Sequence, residues 1–399
     1  MRVNRKWLPL AGLALLLVLV GAGSGCVMLP TQQPDRKAVN FIELDIATAQ
    51  QALRERRISC EQLTRRYLRR IETYDQSTGL NAIIYVNPNA LERARQLDRQ
   101  YGSSGRMQRL HCIPVILKDN FDTADMPTEA GSMAMRGANP PDDAFMVKRL
   151  RGQGAIVIGK SNMAEWAFSP YDTVSSTHGE TRNAYDLTRV PAGSSGGTAS
   201  AVAANFGIIG MGTDTGNSIR GPASHLALVG LRSTIGATSR DGIVPLVLNR
   251  DIGGPLMRTV TDTAIVFSTL AGVDPADPVT AAAAGRVADD YTVYLRQDGL
   301  KGARLGVLRA LVDSPGADSE VTGVMERAIG ELRAAGAEIV DPFEIEDFDQ
   351  LRKATGFCSR FRYDLGEYLA TRGATAPIES LDEVAASGHY LAMNEEAMQ

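Results

Sequence analysis

The sequence of 399 residues is short of histidine, with only His111, His178, His225 and His389. Any Ser-His-Asp triad or histidine-rich metal site would have to draw on these four residues. Cysteine is equally scarce, and the four cysteines form no CxxC pair that would support a zinc or thioredoxin-like motif. We therefore expect neither a metal nor a cofactor. One disulfide is possible, but the spacing does not select a pair, and Cys112 is expected to be buried and unreactive beside the apolar run that follows it.

The chain also lacks a charge excess of either sign. Lysine and arginine number 42 against 46 aspartates and glutamates, which gives a formal net charge of -4. A basic surface that could follow a phosphate backbone is not indicated, so we expect no nucleic-acid partner. With 44% hydrophobic and 22% charged residues, the composition is that of an ordinary globular protein.

The amino terminus has the pattern of an export signal. Arg2, Arg5 and Lys6 precede an apolar run, Leu8–Val20, and small residues follow it up to Gly25. This run is shorter than the roughly 20 residues needed to span a membrane. Residues 1–25 are therefore predicted to be a signal peptide, residues 26–40 a polar tether, and residues 41–399 the functional domain.

Cys26 directly follows the small residues, as in a bacterial lipoprotein signal that is cut before a lipid-modified cysteine. Such signals usually carry leucine three residues before the cysteine, where this chain has Gly23. A plain cleaved signal peptide and an uncleaved anchor are the alternatives. We expect an exported protein of the periplasm or cell envelope, attached to the membrane through lipidated Cys26 or through the signal segment.

Strand-like apolar runs alternate with amphipathic helical segments, which predicts an α/β fold with a mixed, covered sheet. A βαβ unit is predicted near the carboxyl terminus, from Arg304–Leu308 through a helix over Ser319–Ala335 to Glu338–Val340. Residues 381–399 have a helical pattern that ends without a cap or a basic last turn. We expect this chain to be incomplete at its carboxyl terminus.

Glycine and serine are concentrated between Pro191 and Pro222, on both sides of an apolar segment, Ala199–Ile209, that a flexible linker would not contain. A phosphate-binding P-loop is excluded, because Asn217 occupies the position of the required lysine. Gly193-Ser194-Ser195-Gly196-Gly197 matches the letters of a nucleophile elbow, but no strand is predicted before it, and its histidine would have to be His225 or His389. The remaining chemistry is a serine nucleophile with a partly buried lysine as its base, for which Lys118 is the candidate.

Several motifs in the same order closely resemble those of the amidase signature family. They are residues 113–123 around Lys118, residues 159–166, the glycine-serine block, and the flanking segments 181–186 and 254–260. The resemblance runs from about Ile46 to the end of the chain. It implies an α/β fold with a large, mixed, twisted β-sheet covered by helices on both faces, and hydrolysis of a small-molecule amide without a cofactor.

The resemblance also implies roles for individual residues. Lys118, Ser194 and Ser218 match the family's Ser-cisSer-Lys triad, with Ser218 as the nucleophile and the other two as a proton relay. The backbone N–H groups of the oxyanion hole would belong to Thr215, Gly216, Asn217 and Ser218. Asn217 stands where the family normally has glycine, and we expect it to be tolerated because asparagine accepts positive φ. Supporting roles fall to Ser195, Asp214 and Arg220, although the last two would equally form a structural ion pair.

Three functions are compatible with the sequence. The first is an exported amidase that acts on linear carboxylic amides. The second is the amide-hydrolysing A-type component of a tRNA-dependent amidotransferase, against which the export signal argues. The third is a catalytically inactive lipoprotein of amidase fold that binds its ligand without cleaving it.

Overall fold

The computed structural model describes residues 38–354 and 360–398. The predicted signal segment, Cys26, nearly all of the predicted tether, and Cys358 lie outside the described residues. Across the described ranges, none of the helices combines the length and the apolar character that crossing a membrane requires.

The central element is a mixed six-stranded sheet with the strand order β1-β3-β2-β6-β8-β7. Strand β2 pairs in parallel with both β3 and β6, whereas β1, β7 and β8 pair with their neighbours in antiparallel fashion. The remaining strands form two separate pairs, β4 with β5 and β9 with β10. The strands are β1 (Ile83–Val86), β2 (Pro114–Lys118), β3 (Ile156–Ser161), β4 (Val174–Ser175), β5 (Gly179–Glu180), β6 (Ile209–Asp214), β7 (Val229–Gly230), β8 (Ile252–Met257), β9 (Arg304–Gly306) and β10 (Glu338–Val340).

Helices cover the sheet. They are α1 (Ile46–Arg54), α2 (Cys60–Thr78), α3 (Ala90–Ser104), α4 (Phe145–Gly152), α5 (Gly196–Ala203), α6 (Arg220–His225), α7 (Val260–Leu270), α8 (Arg309–Val312), α9 (Ser319–Ala334), α10 (Phe348–Ala354), α11 (Phe361–Arg372), α12 (Leu381–Ser387) and α13 (Glu395–Met398). Every residue of the four central strands β2, β3, β6 and β8 is buried. Because successive side chains of a strand point to opposite faces, this pattern shows that both faces of the sheet are covered, as the sequence predicts.

Local sequence explains where key helices begin. Ser59 caps α2 by accepting a hydrogen bond from Gln62, whose side chain accepts one from the Ser59 N–H in return. Helix α5 consists of small and apolar residues that are all buried, and it packs on β2 and β6. Gly210 on β6 permits this close approach, since a Cβ there would lie 2.7 Å from side-chain carbons of Thr198 and Val202 on α5.

The predicted βαβ unit is confirmed, since β9 and β10 pair in parallel around α9. The single helix expected over residues 381–399 is wrong. Helix α12 ends at Ser387 because Gly388 adopts the left-handed conformation with φ of 67°, and a 3-10 turn and α13 follow.

The structure pairs two of the cysteines. Cys60, the first residue of α2, forms a disulfide with Cys112, and the two Cα atoms are 5.2 Å apart. Both cysteines are buried, so the expectation of a buried Cys112 is confirmed, while the sequence does not select Cys60 as its partner. The only His/Cys/Asp/Glu group within ligand distance in the described ranges is this pair together with His111, and the disulfide engages both of its sulfur atoms.

Candidate active site

The candidate residues converge at one edge of the central sheet. Lys118 is the last residue of β2, and Asp214 is the last residue of the neighbouring parallel strand β6. The carboxyl ends of adjacent parallel strands lie at the same edge, which is where ligands bind in open α/β sheets. The turn that follows β6 carries Ser218, and the turn before α5 carries Ser194.

Lys118 is completely buried. Its Nζ donates hydrogen bonds to the hydroxyl oxygen of Ser194 at 2.6 Å and to that of Thr213 at 2.8 Å. Burial lowers the pKa of Lys118 to about 7, against the opposing influence of Asp214 and Asp251. A large share of this amine is therefore neutral near pH 7, and a neutral amine has the lone pair that a base requires.

The serine turn is fixed through its backbone. The Gly193–Ser194 peptide bond is cis, which matches the cis-serine that the family resemblance implies. The Ser194 carbonyl accepts a hydrogen bond from Ala164 N–H, and Gly193 N–H donates to the Pro170 carbonyl, each at 3.1 Å. Ser195 donates through its hydroxyl to the Thr213 carbonyl at 3.2 Å, so it joins the serine turn to β6.

Ser218 lies beside this turn, because Ser195 N–H donates to the Ser218 carbonyl at 3.3 Å. Ser218 is 5% exposed, and its hydroxyl forms no hydrogen bond with any residue in the described ranges. The lysine–serine half of the predicted triad is thus formed, whereas the Ser194–Ser218 hydrogen bond is not.

The predicted oxyanion turn, Thr215–Ser218, contains no residue with positive φ. Asparagine at position 217 is therefore accommodated without any need for positive φ. The Asn217 side chain instead points across the turn. Its amide nitrogen lies 3.5 Å from the Pro170 carbonyl, and its amide packs so closely on Gly221 that a Cβ on that glycine would clash at 2.2 Å.

Asp214 supports the far end of this turn. Its carboxylate accepts hydrogen bonds from the N–H groups of Ile219 and Arg220 at 3.1 and 3.3 Å, and it forms ion pairs with the Arg220 and Arg232 side chains. Burial opposes ionisation of Asp214, but its hydrogen bonds to Arg220 and the backbone outweigh burial, and the net effect lowers its pKa. The predicted Asp214–Arg220 ion pair is present, and Arg232 is an addition that the sequence does not indicate.

Two further residues at the site carry no signal in the local sequence. Thr213 accepts hydrogen bonds from both Lys118 and Asn120, and Asp251 accepts one from Thr215 at 2.5 Å. The alternative base His225 is placed elsewhere: its Nδ1 lies 3.4 Å from the Val190 carbonyl, and the chain leading into the serine turn is not a strand. The nucleophile-elbow alternative therefore gains no support.

A buried lysine hydrogen-bonded to a serine, at the strand ends of a mixed α/β sheet, is the arrangement that the sequence predicts for a serine–lysine site. The Amidase family profile matches residues 62–386. The chain belongs to this family, known as the amidase signature family.

Individual relatives agree with this assignment. The A-type component of glutamyl-tRNA(Gln) amidotransferase from Caldanaerobacter subterraneus is 38% identical over 304 residues, which cover 76% of this chain and 60% of that protein. A probable amidase of Arabidopsis thaliana is 33% identical over 371 residues, covering 90% of this chain and 70% of that protein. The structure of native peptide amidase from Stenotrophomonas maltophilia superposes with a TM-score of 0.81 at 39% identity, over 90% of this chain and 75% of that one.

Proposed function

We propose that the protein hydrolyses a carboxylic amide to an acid and ammonia or an amine, with Ser218 as the nucleophile. The observation that carries this proposal is the buried Lys118 amine, 2.6 Å from the Ser194 hydroxyl. Family membership and the superposed peptide amidase support amide hydrolysis as the reaction class.

In the proposed mechanism, neutral Lys118 accepts the proton of Ser194, which accepts the proton of Ser218 as the Ser218 oxygen attacks the amide carbonyl. Negative charge that develops on the carbonyl oxygen is stabilised by backbone N–H groups of the turn from Thr215 to Ser218. The relay then runs in reverse to protonate the departing amine. Water attacks the acyl-enzyme with the help of the same relay and regenerates Ser218.

The relay needs one adjustment from the geometry in the structure. The Ser218 hydroxyl has no partner among the described residues, so it must rotate toward Ser194 when substrate is bound. The backbone hydrogen bond from Ser195 to Ser218 already keeps the two turns together.

The test is labelling with a fluorophosphonate, which forms a bond to activated serine oxygens. We expect peptide mapping to find the label on Ser218, with loss of labelling in Ser218→Ala and strong slowing in Ser194→Ala and Lys118→Met. Ser268→Ala is a matched control, because Ser268 is a serine of similar burial on α7, outside the site. Labelling that persists in Ser218→Ala would contradict the proposal.

For the substrate, we propose only a class of amides. The superposed structure is a peptide amidase, so amidated peptides belong in an ammonia-release panel beside short aliphatic, aromatic and fatty amides. The similarity to an amidotransferase component supports a second candidate, an amide-hydrolysing component of a tRNA-dependent amidotransferase complex. Ammonia released from simple amides or peptide amides by the isolated chain favours the amidase, whereas release from glutamine only in the presence of partner proteins favours the second candidate. An unlabelled protein that binds amides without turnover would be the inactive binding protein.

Export and lipid attachment remain proposals as well. The basic, apolar and small-residue pattern before Cys26 supports both. Intact-mass measurement of the protein produced in a bacterial host decides between the alternatives. A mature chain that begins at a diacylated Cys26 is expected, and a cleaved chain with an unmodified Cys26 would leave export without lipidation.

A further inference from the structure

Asp251 is a buried carboxylate that the proposed mechanism does not use. It directly precedes β8, and the first residue of β8, Ile252, pairs with Asp214 at the end of β6. Because β8 runs antiparallel to β6, its beginning lies at the same sheet edge as the candidate site. Asp251 therefore lies beside the turn that carries Ser218, although the two residues are far apart in sequence.

Both oxygens of the Asp251 carboxylate accept hydrogen bonds. One oxygen accepts the hydrogen bond of the Thr215 hydroxyl at 2.5 Å, and the other accepts the N–H groups of Leu246 and Val247 at 2.7 and 3.1 Å. Asp251 is 6% exposed and Thr215 is 7% exposed, so water competes weakly for these bonds. A carboxylate with this many donors in a dry environment holds its partners in one arrangement.

The turn is thereby held at both ends. Asp214 binds the N–H groups of Ile219 and Arg220 after Ser218, and Asp251 binds the side chain of Thr215 before it. The segment between them supplies the backbone N–H groups proposed for the oxyanion. Donors of this kind are effective only when their positions are fixed before charge develops.

We propose that Asp251 is a positioning residue of the amidase site, which acts by holding the Thr215 hydroxyl and with it the oxyanion turn. The proposal rests on the proposed function, since it gives this turn a role in amide hydrolysis. Helix α11 extends the support, because Asp364 on that helix accepts the N–H of Leu248, close to the two N–H groups that Asp251 binds.

Asp251 has a second, electrostatic connection to the site. The charged groups that act on Lys118 are Asp214 and Asp251, and both favour its protonated form. Asp214 is itself neutralised by Arg220 and Arg232. Removing the charge of Asp251 is expected to lower the pKa of Lys118 further, whereas removing the Thr215 hydroxyl leaves that charge in place. The two substitutions therefore separate positioning from electrostatics.

The experiment measures kcat, KM and the pH dependence of amide hydrolysis for Thr215→Val, Thr215→Ser and Asp251→Asn. Thr215→Val is expected to lower kcat roughly tenfold or more, with KM changed less than about threefold, because the loss falls on the transition state. Thr215→Ser retains the hydroxyl and should restore most of kcat. Asp251→Asn should lower kcat and also move the acid limb of the pH profile to lower pH.

Asp75→Asn is the matched control. Burial raises the pKa of both Asp251 and Asp75, and Asp75 likewise binds two backbone N–H groups, those of Ala82 and Ile83 at the edge strand β1. It should lower the melting temperature while leaving kcat and the pH profile unchanged. Equal kcat in Thr215→Val and the wild type would overturn the proposal. An Asp251→Asn protein with unchanged kcat and an unchanged pH profile, as expected for Asp75→Asn, would overturn it as well.

If Asp251→Asn does not fold, the comparison of kcat between Thr215→Val and Thr215→Ser tests the proposal by itself. A wild-type protein that is neither labelled nor active would instead refute the proposed function, and so the two failures are distinguishable.

Discussion

Lys118→Met should strongly slow amide hydrolysis and at the same time stabilise the protein below neutral pH. Methionine has nearly the length of lysine and is apolar, so it suits a side chain that is completely buried. Burial lowers the pKa of Lys118 from 10.5 to about 7. That difference corresponds to about 5 kcal/mol by which the fold disfavours the protonated amine relative to the unfolded chain.

The substitution also removes two hydrogen bonds, to Ser194 and to Thr213, which are worth about 1 kcal/mol each. The net gain in the free energy of unfolding at pH 6 is then about 3 kcal/mol, or a rise of about 4 °C in melting temperature for a chain of this size. The rate of amide hydrolysis should fall by a factor of about 10² to 10⁴, the usual contribution of a general base.

The stability difference between Lys118→Met and the wild type should decrease as the pH rises. Between about pH 7 and 10.5, Lys118 is neutral in the folded protein and protonated in the unfolded chain, so folding releases a proton and wild-type stability rises with pH. Methionine lacks this dependence. The advantage of Lys118→Met over the wild type should therefore shrink to near zero by about pH 9.

Urea unfolding of both proteins at pH 6 and at pH 9 measures this difference directly. Ser194→Ala serves as the control, because it removes one hydrogen bond and the relay but keeps the buried lysine. It should be inactive without any pH-dependent gain in stability. A Lys118→Met protein less stable than the wild type at pH 6, or equally stabilised at both pH values, would show that Lys118 is not buried at an energetic cost.

Three further predictions concern the whole domain. Wild-type kcat/KM should rise with pH through an apparent pKa near 7, because burial lowers the pKa of Lys118 to about 7 and the neutral amine is the proposed active form. A pH–rate profile that is flat between pH 6 and 8 would contradict this prediction. Cys60→Ser should lower the free energy of unfolding by about 4 kcal/mol, as the loop-entropy relation gives for a separation of 52 residues. Adding reductant to the wild type should lower its melting temperature by the same amount as the substitution does. Arg372→Met leaves buried Asp122 without its ion-pair partner at 2.6 Å, and should cost about 3–5 kcal/mol at pH 8. Burial raises the pKa of Asp122 to about 6, so this carboxyl is protonated at pH 5 and the variant should lose less in melting temperature there than at pH 8. An equal loss at both pH values would refute a charged Arg372–Asp122 pair.

The elements that the sequence predicts well are those determined by local pattern. The apolar run Ile113–Leu117 predicts β2 (Pro114–Lys118) to within one residue at each end, because a strand buried on both faces needs no polar alternation. The capping pair Ser59 and Gln62 predicts the start of α2 in the same way. Motif order alone then assigns Lys118, Ser194 and Ser218 to one site, and the structure brings the lysine and the first serine into contact.

What the sequence does not predict depends on contacts between distant segments. Asp251 reaches Thr215 only because β8 pairs antiparallel with β6, and nothing in the local sequence of either strand specifies that pairing. The choice of Cys60 as the partner of Cys112 likewise depends on where the start of α2 lies in the folded chain. Asn217 is expected to be tolerated because asparagine accepts positive φ, but the turn contains no residue with positive φ. The structure offers contacts with Pro170 and Gly221 instead.

The arrangement of charge explains how a lysine can act as a base between two carboxylates. An unpaired carboxylate close to a buried amine would hold it protonated, and Lys118 lies within the influence of both Asp214 and Asp251. Both carboxylates are already occupied, Asp214 by two arginines and two N–H groups, and Asp251 by Thr215 and two N–H groups. The hydrogen bonds of Asp214 lower its pKa, whereas burial raises the pKa of Asp251, and at Lys118 the effect of burial outweighs the attraction of both carboxylates for the protonated amine. In the proposed mechanism, Asp214 and Asp251 therefore hold the turn from Thr215 to Ser218 while burial keeps a large share of Lys118 neutral.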